Sequence, residues 1–203
     1  PAISRGELTF GEQLGEGASC VIYRGRWHSV ETGAPKDVAI KIFKGTVTSD
    51  GRPLDEMRAA IAAGAHPNLV TPLGQLQSEG ELGLVFSFIT SDYSNLGQPP
   101  SLETCTRDVY AQERRFKPEE ILTTALGISS ALEQLHRRGI MHGDLYSHNI
   151  LVNSTGHCFL GDFGAASFYP EENLGGALEQ QEVRAFGCLL EDLCDRSTAQ
   201  QGD

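Results

Sequence analysis

Four side chains in this sequence have the types and the order that phosphoryl transfer requires. That reaction needs a carboxylate to take a hydroxyl proton, oxygen ligands for Mg²⁺ and a positive group on the phosphates. Asp144 fits the first role and Lys41 fits the third. Asn149 and Asp162 carry the oxygen atoms that a magnesium ion prefers. Because four such groups rarely follow one another in this order by chance, the sequence predicts a site for phosphoryl chemistry.

Lys41 is notable because it interrupts an apolar run, Val38-Ala-Ile-Lys-Ile-Phe43. A lysine flanked by Ile40 and Ile42 is unusual on a solvent face, so we expect its side chain to enter a cleft. A buried ammonium group needs anions, which a phosphate and a carboxylate would supply. Glu56, in the helical stretch that follows, is the natural carboxylate, although a solvated helix-surface acid is the alternative interpretation.

A glycine-bearing segment, Gly15-Glu-Gly17-Ala-Ser-Cys20-Val-Ile22, lies between two predicted strands. Glycine has no Cβ, so backbone N–H groups in such a loop can approach phosphate oxygens closely. A tight hairpin turn would explain this segment equally well when it is considered alone.

The first half of the chain, which must position Lys41, is predicted to be rich in strands. Runs of β-branched and apolar residues predict five strands, over 8–14, 21–27, 38–43, 69–76 and 82–89. One helix opens at Pro53 and is stopped by Gly64, with acids in its first turn. The polar, Gly- and Pro-containing segment 91–101 is typical of a hinge.

The second half, which must position Asp144, is predicted to be mainly helical. Its clearest helix covers 118–138, with Gly139 as its stop. This helix carries one apolar stripe formed by Ile121, Ala125, Ile128, Leu132 and Leu135. Short strands are predicted at 150–153 and 158–160, and a last helix at about 178–193. A β-rich half and a helical half joined by a hinge indicate an α+β chain with two lobes around a cleft.

Composition limits the partners and the compartment. The 203 residues carry a net charge of −11, which argues against nucleic-acid or anionic-membrane partners because phosphates would be repelled. Five cysteines without a C-x-x-C pair favour the reduced thiols of a cytoplasmic protein. An apolar run of roughly 20 residues, as a membrane helix needs, is missing from the sequence.

Taken in order, these motifs resemble a eukaryotic-type protein kinase domain. The resemblance extends from about residue 3 to residue 193 and includes His66-Pro-Asn68, His142-Gly-Asp144 and Asp162-Phe-Gly164. It implies a single kinase domain over 1–203, with an N-lobe at about 1–89, a hinge at about 87–97 and a C-lobe at about 98–203. The N-lobe would hold five strands and one helix, and the C-lobe would be truncated and mainly helical.

The resemblance also implies residue roles and cofactors. ATP and Mg²⁺ would be the cofactors, with Mn²⁺ as another possible metal. Asp144, Lys41, Glu56 and Asn149 would be the catalytic residues, and Asn149 and Asp162 the metal ligands. The implied nucleotide-binding residues are Gly15, Glu16, Gly17, Ala18, Ser19, Cys20, Ile22, Ala39, Lys41, Phe86, Ser87, Phe88, Ile89 and Leu151.

Within the kinases, two narrower resemblances are present. The opening Glu7-Leu-x-Phe10 and Leu14-Gly-Glu-Gly17 resemble tyrosine-kinase-like serine/threonine kinases. Other segments resemble kinase domains of bacterial leucine-rich-repeat proteins, which would allow a secreted effector in a host cytosol. These segments are Thr48-Ser-Asp-Gly, Asp55-Glu-Met, Cys105-Thr-Arg-Asp-Val-Tyr110, Gly143-Asp-Leu-Tyr-Ser-His-Asn149 and Glu182-Val-Arg-Ala-Phe-Gly187.

Departures from the family pattern keep other functions open. The usual arginine before the catalytic aspartate is Gly143, so activation by loop phosphorylation is not expected. His-Gly-Asp is also typical of aminoglycoside and choline phosphotransferases, which keeps a small-molecule acceptor as an alternative. Tyr146 and His148 replace the residues that distinguish serine/threonine from tyrosine kinases, and serine or threonine is our expectation. A non-catalytic nucleotide-binding signalling module is the third reading.

The stretch after Gly164 is shorter than a full activation segment. Glu182 stands where the family has the aspartate of its central C-lobe helix, and an Ala-Pro-Glu motif is missing from the sequence. We therefore expect the platform for a protein substrate to be absent or rebuilt, and the sequence leaves open an activating protein partner. Ser167 and Tyr169 are candidate autophosphorylation sites.

Overall fold

The computed structural model describes residues 1–17, 19–29, 33–45, 52–78, 80–104, 107–169 and 175–201. Ala18 and the segments 48–51 and 105–106, which belong to the predictions above, lie outside the described residues. The chain forms two compact units. The first comprises Pro1–Gly64, Thr71–Thr90 and Phe163–Ala165, and the second comprises Ala65–Val70, Ser91–Asp162 and Ala166–Asp203.

The first unit is built on a six-stranded sheet. Its strands are β1 (Ala2–Ser4), β2 (Leu8–Glu16), β3 (Cys20–Trp27), β4 (Lys36–Phe43), β5 (Pro72–Ser78) and β6 (Glu81–Ser87). They lie in the order β1-β5-β6-β4-β3-β2, and only β1 pairs in parallel, with β5. A buried cluster on this sheet contains Ile3, Leu8, Val38, Ile40, Leu76 and Val85. These apolar side chains form a hydrophobic core that stabilises the sheet.

Helix α1 (Pro53–Ala63) follows the fourth strand in the same unit. Pro53 fits the first helical position, where its missing N–H has no intrahelical partner to lose. Gly64 ends the helix with φ 64°, a conformation that glycine adopts without strain. The buried face consists of Glu56, Met57 and small residues, whereas Leu54 and Ile61 are 48% and 45% exposed. The helix therefore turns a carboxylate inward.

The second unit is mainly helical. Its two long helices are α2 (Pro118–His136) and α3 (Gly175–Asp195). Its strands are β7 (Ser94–Asn95), β8 (Ile140–Met141), β9 (Ile150–Val152), β10 (Cys158–Leu160) and β11 (Ser167–Phe168). One sheet has the order β10-β9-β7, and β11 pairs with β8 in another. Ile128, Leu132 and Leu135 of the predicted stripe are buried, whereas Ile121 and Ala125 are half-buried.

The structure differs from the sequence predictions mainly in short elements. The sheet of the first unit has a sixth strand, β1, which is only three residues long and carries no periodicity to detect. Within the predicted hinge, residues 94 and 95 form β7 and pair with β9. Helix α2 ends at His136, two residues before the predicted end, and Gly139 has the positive φ of 64°. Among the described residues, none of the helices is long and apolar enough to cross a bilayer.

Candidate active site

Lys41 and Glu56 meet in the interior of the first unit. Successive strand residues point to opposite faces, so Lys41 lies on the face opposite the fully buried Ile40. Helix α1 brings Glu56 to Lys41, and the Lys41 Nζ donates a hydrogen bond to Glu56 Oε1. The two side chains are 11% and 7% exposed. An ammonium group and a carboxylate are therefore paired where little water reaches them.

The sheet register groups several predicted nucleotide-binding residues with Lys41. Ile22 on β3 is directly opposite Lys41, and Ala39 on β4 is directly opposite Phe86 on β6. Directly opposed residues point to the same face of a sheet, and so do residues two positions apart on one strand. Ile22, Ala39 and Phe86 therefore lie on the same face of the sheet as Lys41. Ile22, Ala39 and Phe86 are all half-buried. Ser87 ends β6 and Phe88 and Ile89 follow it, with the Phe88 N–H donating to the Asp37 carbonyl at 3.2 Å.

The glycine-bearing loop connects β2 to β3. Gly17 N donates to the Cys20 carbonyl at 2.9 Å, so the loop closes on itself. Lys44 N donates to the Ser19 carbonyl at 2.8 Å, and Lys44 Nζ donates to the Gly17 carbonyl at 3.1 Å and to the Glu16 carboxylate. Hydrogen bonds from Lys44, and secondarily from Gln13, lower the pKa of Glu16. The loop is thereby fastened to the end of β4.

In the second unit, Asp144 and Asn149 lie on the loop between β8 and β9. Asn149 Nδ2 donates to the Asp144 carbonyl at 2.9 Å and to Asp144 Oδ2 at 2.8 Å. The Asp144 side chain is 40% exposed, so its carboxylate is held but accessible. His148 Nε2 lies 4.0 Å from the same Oδ2 atom. The loop therefore presents a fixed carboxylate beside an imidazole.

His142 connects this loop to the segment that carries Asp162. Its ring is fully buried, Nδ1 accepts from Asp144 N at 3.4 Å, and Nε2 donates to the Gly161 carbonyl at 2.8 Å. Gly161 N in turn donates to the Asn149 carbonyl at 2.9 Å. Asp162 has φ 56°, the single positive φ of a non-glycine residue among those described. Such conformations concentrate at functional sites.

Glu182 of α3 holds the start of the Asp144 loop. It is 2% exposed, and its Oε1 accepts from Gly143 N at 2.9 Å while Oε2 accepts from His142 N at 3.2 Å. His136 Nε2 of α2 lies 2.7 Å from the same Oε2. Burial alone would raise the pKa of Glu182, but the hydrogen bonds from His136, Gly143 and His142 outweigh it and lower the pKa. Gly143 has φ 81°, which a residue with a side chain would adopt only with strain.

Two residues that support the site were not singled out from the sequence. One is Lys44, and the other is Asp108, whose Oδ1 accepts from Ser147 N at 2.7 Å inside the Asp144 loop. Both partners are distant in the chain, so no local pattern signals them. The remaining predicted residue, Leu151, lies half-buried on β9, and its partners in the sheet are Phe159 and Asn95. Asp144 and Asn149 are hydrogen-bonded to each other in the second unit, and Asp162 follows Gly161, which is bonded to Asn149. Lys41 and Glu56 are paired in the first unit.

Comparison with known proteins gives related sequences. A fibroblast growth factor receptor 1 of Pleurodeles waltl is 24% identical over 172 residues, covering 80% of this chain and 21% of the relative. The serine/threonine-protein kinase KIN28 of Saccharomyces cerevisiae is 29% identical over 166 residues, covering 81% of this chain and 49% of the relative. A probable cyclin-dependent serine/threonine-protein kinase of Dictyostelium discoideum is 25% identical over 165 residues, 80% of this chain and 23% of the relative. The chain thus spans between about a fifth and a half of the length of these relatives.

The family described as protein tyrosine and serine/threonine kinase matches residues 8–202. The match includes Lys41, Glu56, Asp144, Asn149 and Asp162, and it extends over both compact units. It confirms the predicted fold class, an α+β kinase fold with a β-rich unit and a mainly helical one. The chain therefore belongs to the protein tyrosine and serine/threonine kinase family.

Proposed function

We propose that this chain is an ATP- and Mg²⁺-dependent protein kinase that transfers the γ-phosphoryl group to a protein hydroxyl. The observation that carries the proposal is the buried Lys41–Glu56 ion pair. Burying two charges is expensive, so a buried pair is better explained by a role than by stability. An ammonium group carries three N–H donors, and Lys41 directs one of them to Glu56; in the proposed complex Lys41 would also contact phosphate oxygens.

The residues of the second unit fit a magnesium ion. Asn149 Nδ2 is committed to Asp144, so Oδ1 is the atom left to bind a cation, and Asp162 adds a carboxylate. Groups of three or more His, Cys, Asp or Glu side chains that could hold a metal are not found among the described residues. Asn149 and Asp162 would therefore share the ion with phosphate oxygens, and Mn²⁺ would suit the same hard ligands. When bound, Mg-ATP supplies the phosphoryl group and the metal neutralises phosphate charge.

In this proposal Asp144 orients the acceptor hydroxyl and takes its proton. Asn149 fixes one carboxylate oxygen, and His142 holds the Asp144 backbone through Nδ1. Lys41, positioned by Glu56, would donate hydrogen bonds to the phosphates, and the loop over 15–17 and 19–20 would lie against them. Ile22, Ala39, Phe86, Ser87, Phe88, Ile89 and Leu151 would surround the adenine.

We favour serine or threonine of a protein substrate as the acceptor. Two of the relatives named above are serine/threonine-protein kinases. Autophosphorylation is included in the proposal, and Ser167 is exposed on β11. The cysteine pattern supports a cytoplasmic location, or a host cytosol for a secreted effector, and the proposal includes an activating protein partner.

A transfer assay with radiolabelled ATP and Mg²⁺ tests this proposal. Wild-type protein is compared with Asp144→Asn and with Asp195→Asn, an exposed aspartate at the end of α3 that serves as the control. We expect label on protein from wild type and Asp195→Asn and a loss of at least about 10²-fold in Asp144→Asn. Phosphoamino-acid analysis then identifies the acceptor hydroxyl. Full turnover by Asp144→Asn would contradict the assignment.

A cavity beside the Asp144 loop favours a second candidate, a small-molecule phosphotransferase. Its volume is about 470 Å³, within the range of ligand pockets, and it is lined by Gly143, Leu145 and Tyr146 on one side and by residues of α3 on the other. In the same assay, Asp144-dependent label in the metabolite fraction of a lysate, with none on protein, would favour this function. Mg-ATP binding without any turnover would favour a binding-only module.

A further inference from the structure

The segment 167–169 is held against the strand that leads into the Asp144 loop. Ser167 and Phe168 of β11 pair with Met141 and Ile140 of β8. The next residue continues this contact, because Tyr169 N donates to the Gly139 carbonyl at 3.0 Å. Since β8 is followed directly by His142, Gly143 and Asp144, the position of segment 167–169 and that of the catalytic loop are coupled through the backbone.

The Tyr169 side chain adds a second attachment, to α3. Tyr169 is 6% exposed, and its hydroxyl donates to Glu179 Oε1 at 2.9 Å. Glu179 precedes Glu182 by three residues, a spacing that puts both side chains on one face of a helix. One face of α3 therefore holds segment 167–169 through Glu179 and the start of the Asp144 loop through Glu182.

We propose that Tyr169 is a positioning residue that, bonded to Glu179, holds segment 167–169 against β8 in the unphosphorylated protein. The inference rests on the proposed kinase function. A buried tyrosine whose hydroxyl is already bonded is a poor phosphate acceptor, whereas Ser167 is exposed. Gly143 stands where an arginine would meet a phosphorylated segment, and its N–H is bonded to Glu182. Activity therefore does not require a phosphate on segment 167–169.

The test compares four single variants of the full chain and the Tyr169→Phe/Glu179→Ala double variant, each treated with phosphatase and checked by intact mass. Tyr169→Phe and Glu179→Ala remove the hydrogen bond, Glu179→Gln keeps an acceptor oxygen, and Ser167→Ala removes the exposed hydroxyl. We expect Tyr169→Phe and Glu179→Ala each to lower kcat about tenfold, with the KM for ATP unchanged. The double variant should be no worse than either single one, and Glu179→Gln and Ser167→Ala should match wild type.

Hydrogen exchange of segment 165–169 gives a readout that is independent of turnover. Exchange should speed up in Tyr169→Phe and Glu179→Ala and stay at the wild-type rate in Glu179→Gln. Unchanged exchange and unchanged kcat in Tyr169→Phe would overturn the inference, as would an unphosphorylated wild type that gains activity only when Ser167 or Tyr169 is phosphorylated. If wild type shows no Asp144-dependent transfer, the proposed function fails, while the exchange rates still decide the role of Tyr169.

Discussion

Lys41 and Glu56 differ from the other ion pairs of the first unit in their burial. Their side chains are 11% and 7% exposed, whereas those of Asp55 and Arg58, paired at 3.5 Å on the same helix, are 57% and 72% exposed. Exposed pairs contribute little because water and salt screen them, whereas a buried charge that loses its partner is strongly unfavourable. Glu56 and Asp55 are neighbours on α1, so the effects of removing a buried and an exposed carboxylate can be compared within one helix.

Replacing Glu56 with glutamine is predicted to lower both stability and activity. The amide keeps a hydrogen-bond acceptor but removes the buried negative charge beside Lys41, so we expect the free energy of unfolding to fall by about 1–3 kcal/mol. A displaced Lys41 should reduce kcat/KM by about 10²-fold. Urea unfolding and the transfer assay measure the two effects. Asp55→Asn is the control, expected within about 0.5 kcal/mol of wild type. Equal losses in the two variants would contradict the special role of Glu56.

At the same scale, residue types and spacing predict the groups that do chemistry and the pairing of Glu56 with Lys41, but not the other groups that hold the site. Asp144 and Asn149 are five residues apart, so a motif contains both. Lys44 and Glu16 are 28 residues apart, and only the pairing of β2, β3 and β4 brings them together. The positive φ of Asp162 likewise follows from contacts of the folded chain. Local patterns carry no information on such partners.

Two helical glycines are predicted to respond oppositely to the same substitution. A Cβ on Gly127 of α2 would lie 2.7 Å from Asn68 Nδ2 and 2.8 Å from Cys158 Sγ. Asn68 cannot easily move, because its Nδ2 donates to the Cys158 carbonyl at 2.9 Å. A Cβ on Gly187 of α3 meets nothing within 4 Å. Gly127→Ala should destabilise by about 1–3 kcal/mol, and Gly187→Ala should stabilise by about 0.5–1 kcal/mol. Urea unfolding measures both changes in the free energy of unfolding. Changes of the same sign in the two variants would contradict the close packing around Gly127.

Helix α3 is predicted to impose a pH dependence through Glu182. The pKa of this carboxyl is lowered from 4.5 in the folded protein, so its contribution to stability is complete above that pH. The contribution is lost as the pH falls through the lowered folded-state pKa. Glu182→Gln should therefore be less stable than wild type by about 1–3 kcal/mol near pH 7, and the difference should shrink below about pH 4.5.

Urea unfolding of both proteins at several pH values measures this convergence. The control is Glu133→Gln on α2, whose carboxylate is 58% exposed and paired with the exposed Arg137. We expect the Glu133→Gln curve to run parallel to that of wild type. A stability difference between wild type and Glu182→Gln that stays constant down to about pH 3 would argue against a lowered pKa.

Element prediction succeeds where the pattern is long and misses several of the shortest elements, although the three-residue strands β9 and β10 lie where short strands are predicted. Helix α2 has 19 residues, a proline at its start and an apolar stripe, and its predicted and observed starts coincide at Pro118. β1, β7 and β11 have two or three residues each, which is shorter than the roughly four residues over which an alternating pattern can be recognised. Their existence depends on the strand to which each is bonded. That strand is β5 for β1, β9 for β7 and β8 for β11.

At the scale of the whole molecule, the net charge of −11 is expected to influence which peptide acceptors are preferred. A field of one sign attracts oppositely charged partners and raises their association rate, and salt screens it. Under the proposed kinase function, a serine peptide flanked by lysines should have a higher kcat/KM than the same peptide flanked by glutamates. We expect a difference of about tenfold at low ionic strength.

Steady-state kinetics at saturating ATP, between about 50 and 500 mM salt, test this prediction. Screening should lower kcat/KM for the lysine peptide, raise it for the glutamate peptide, and leave a peptide flanked by alanines nearly unchanged. The alanine peptide separates acceptor electrostatics from any effect of salt on ATP binding. A preference for the lysine peptide that survives 500 mM salt would instead indicate direct contacts with specific carboxylates, because a long-range field is largely screened at that ionic strength.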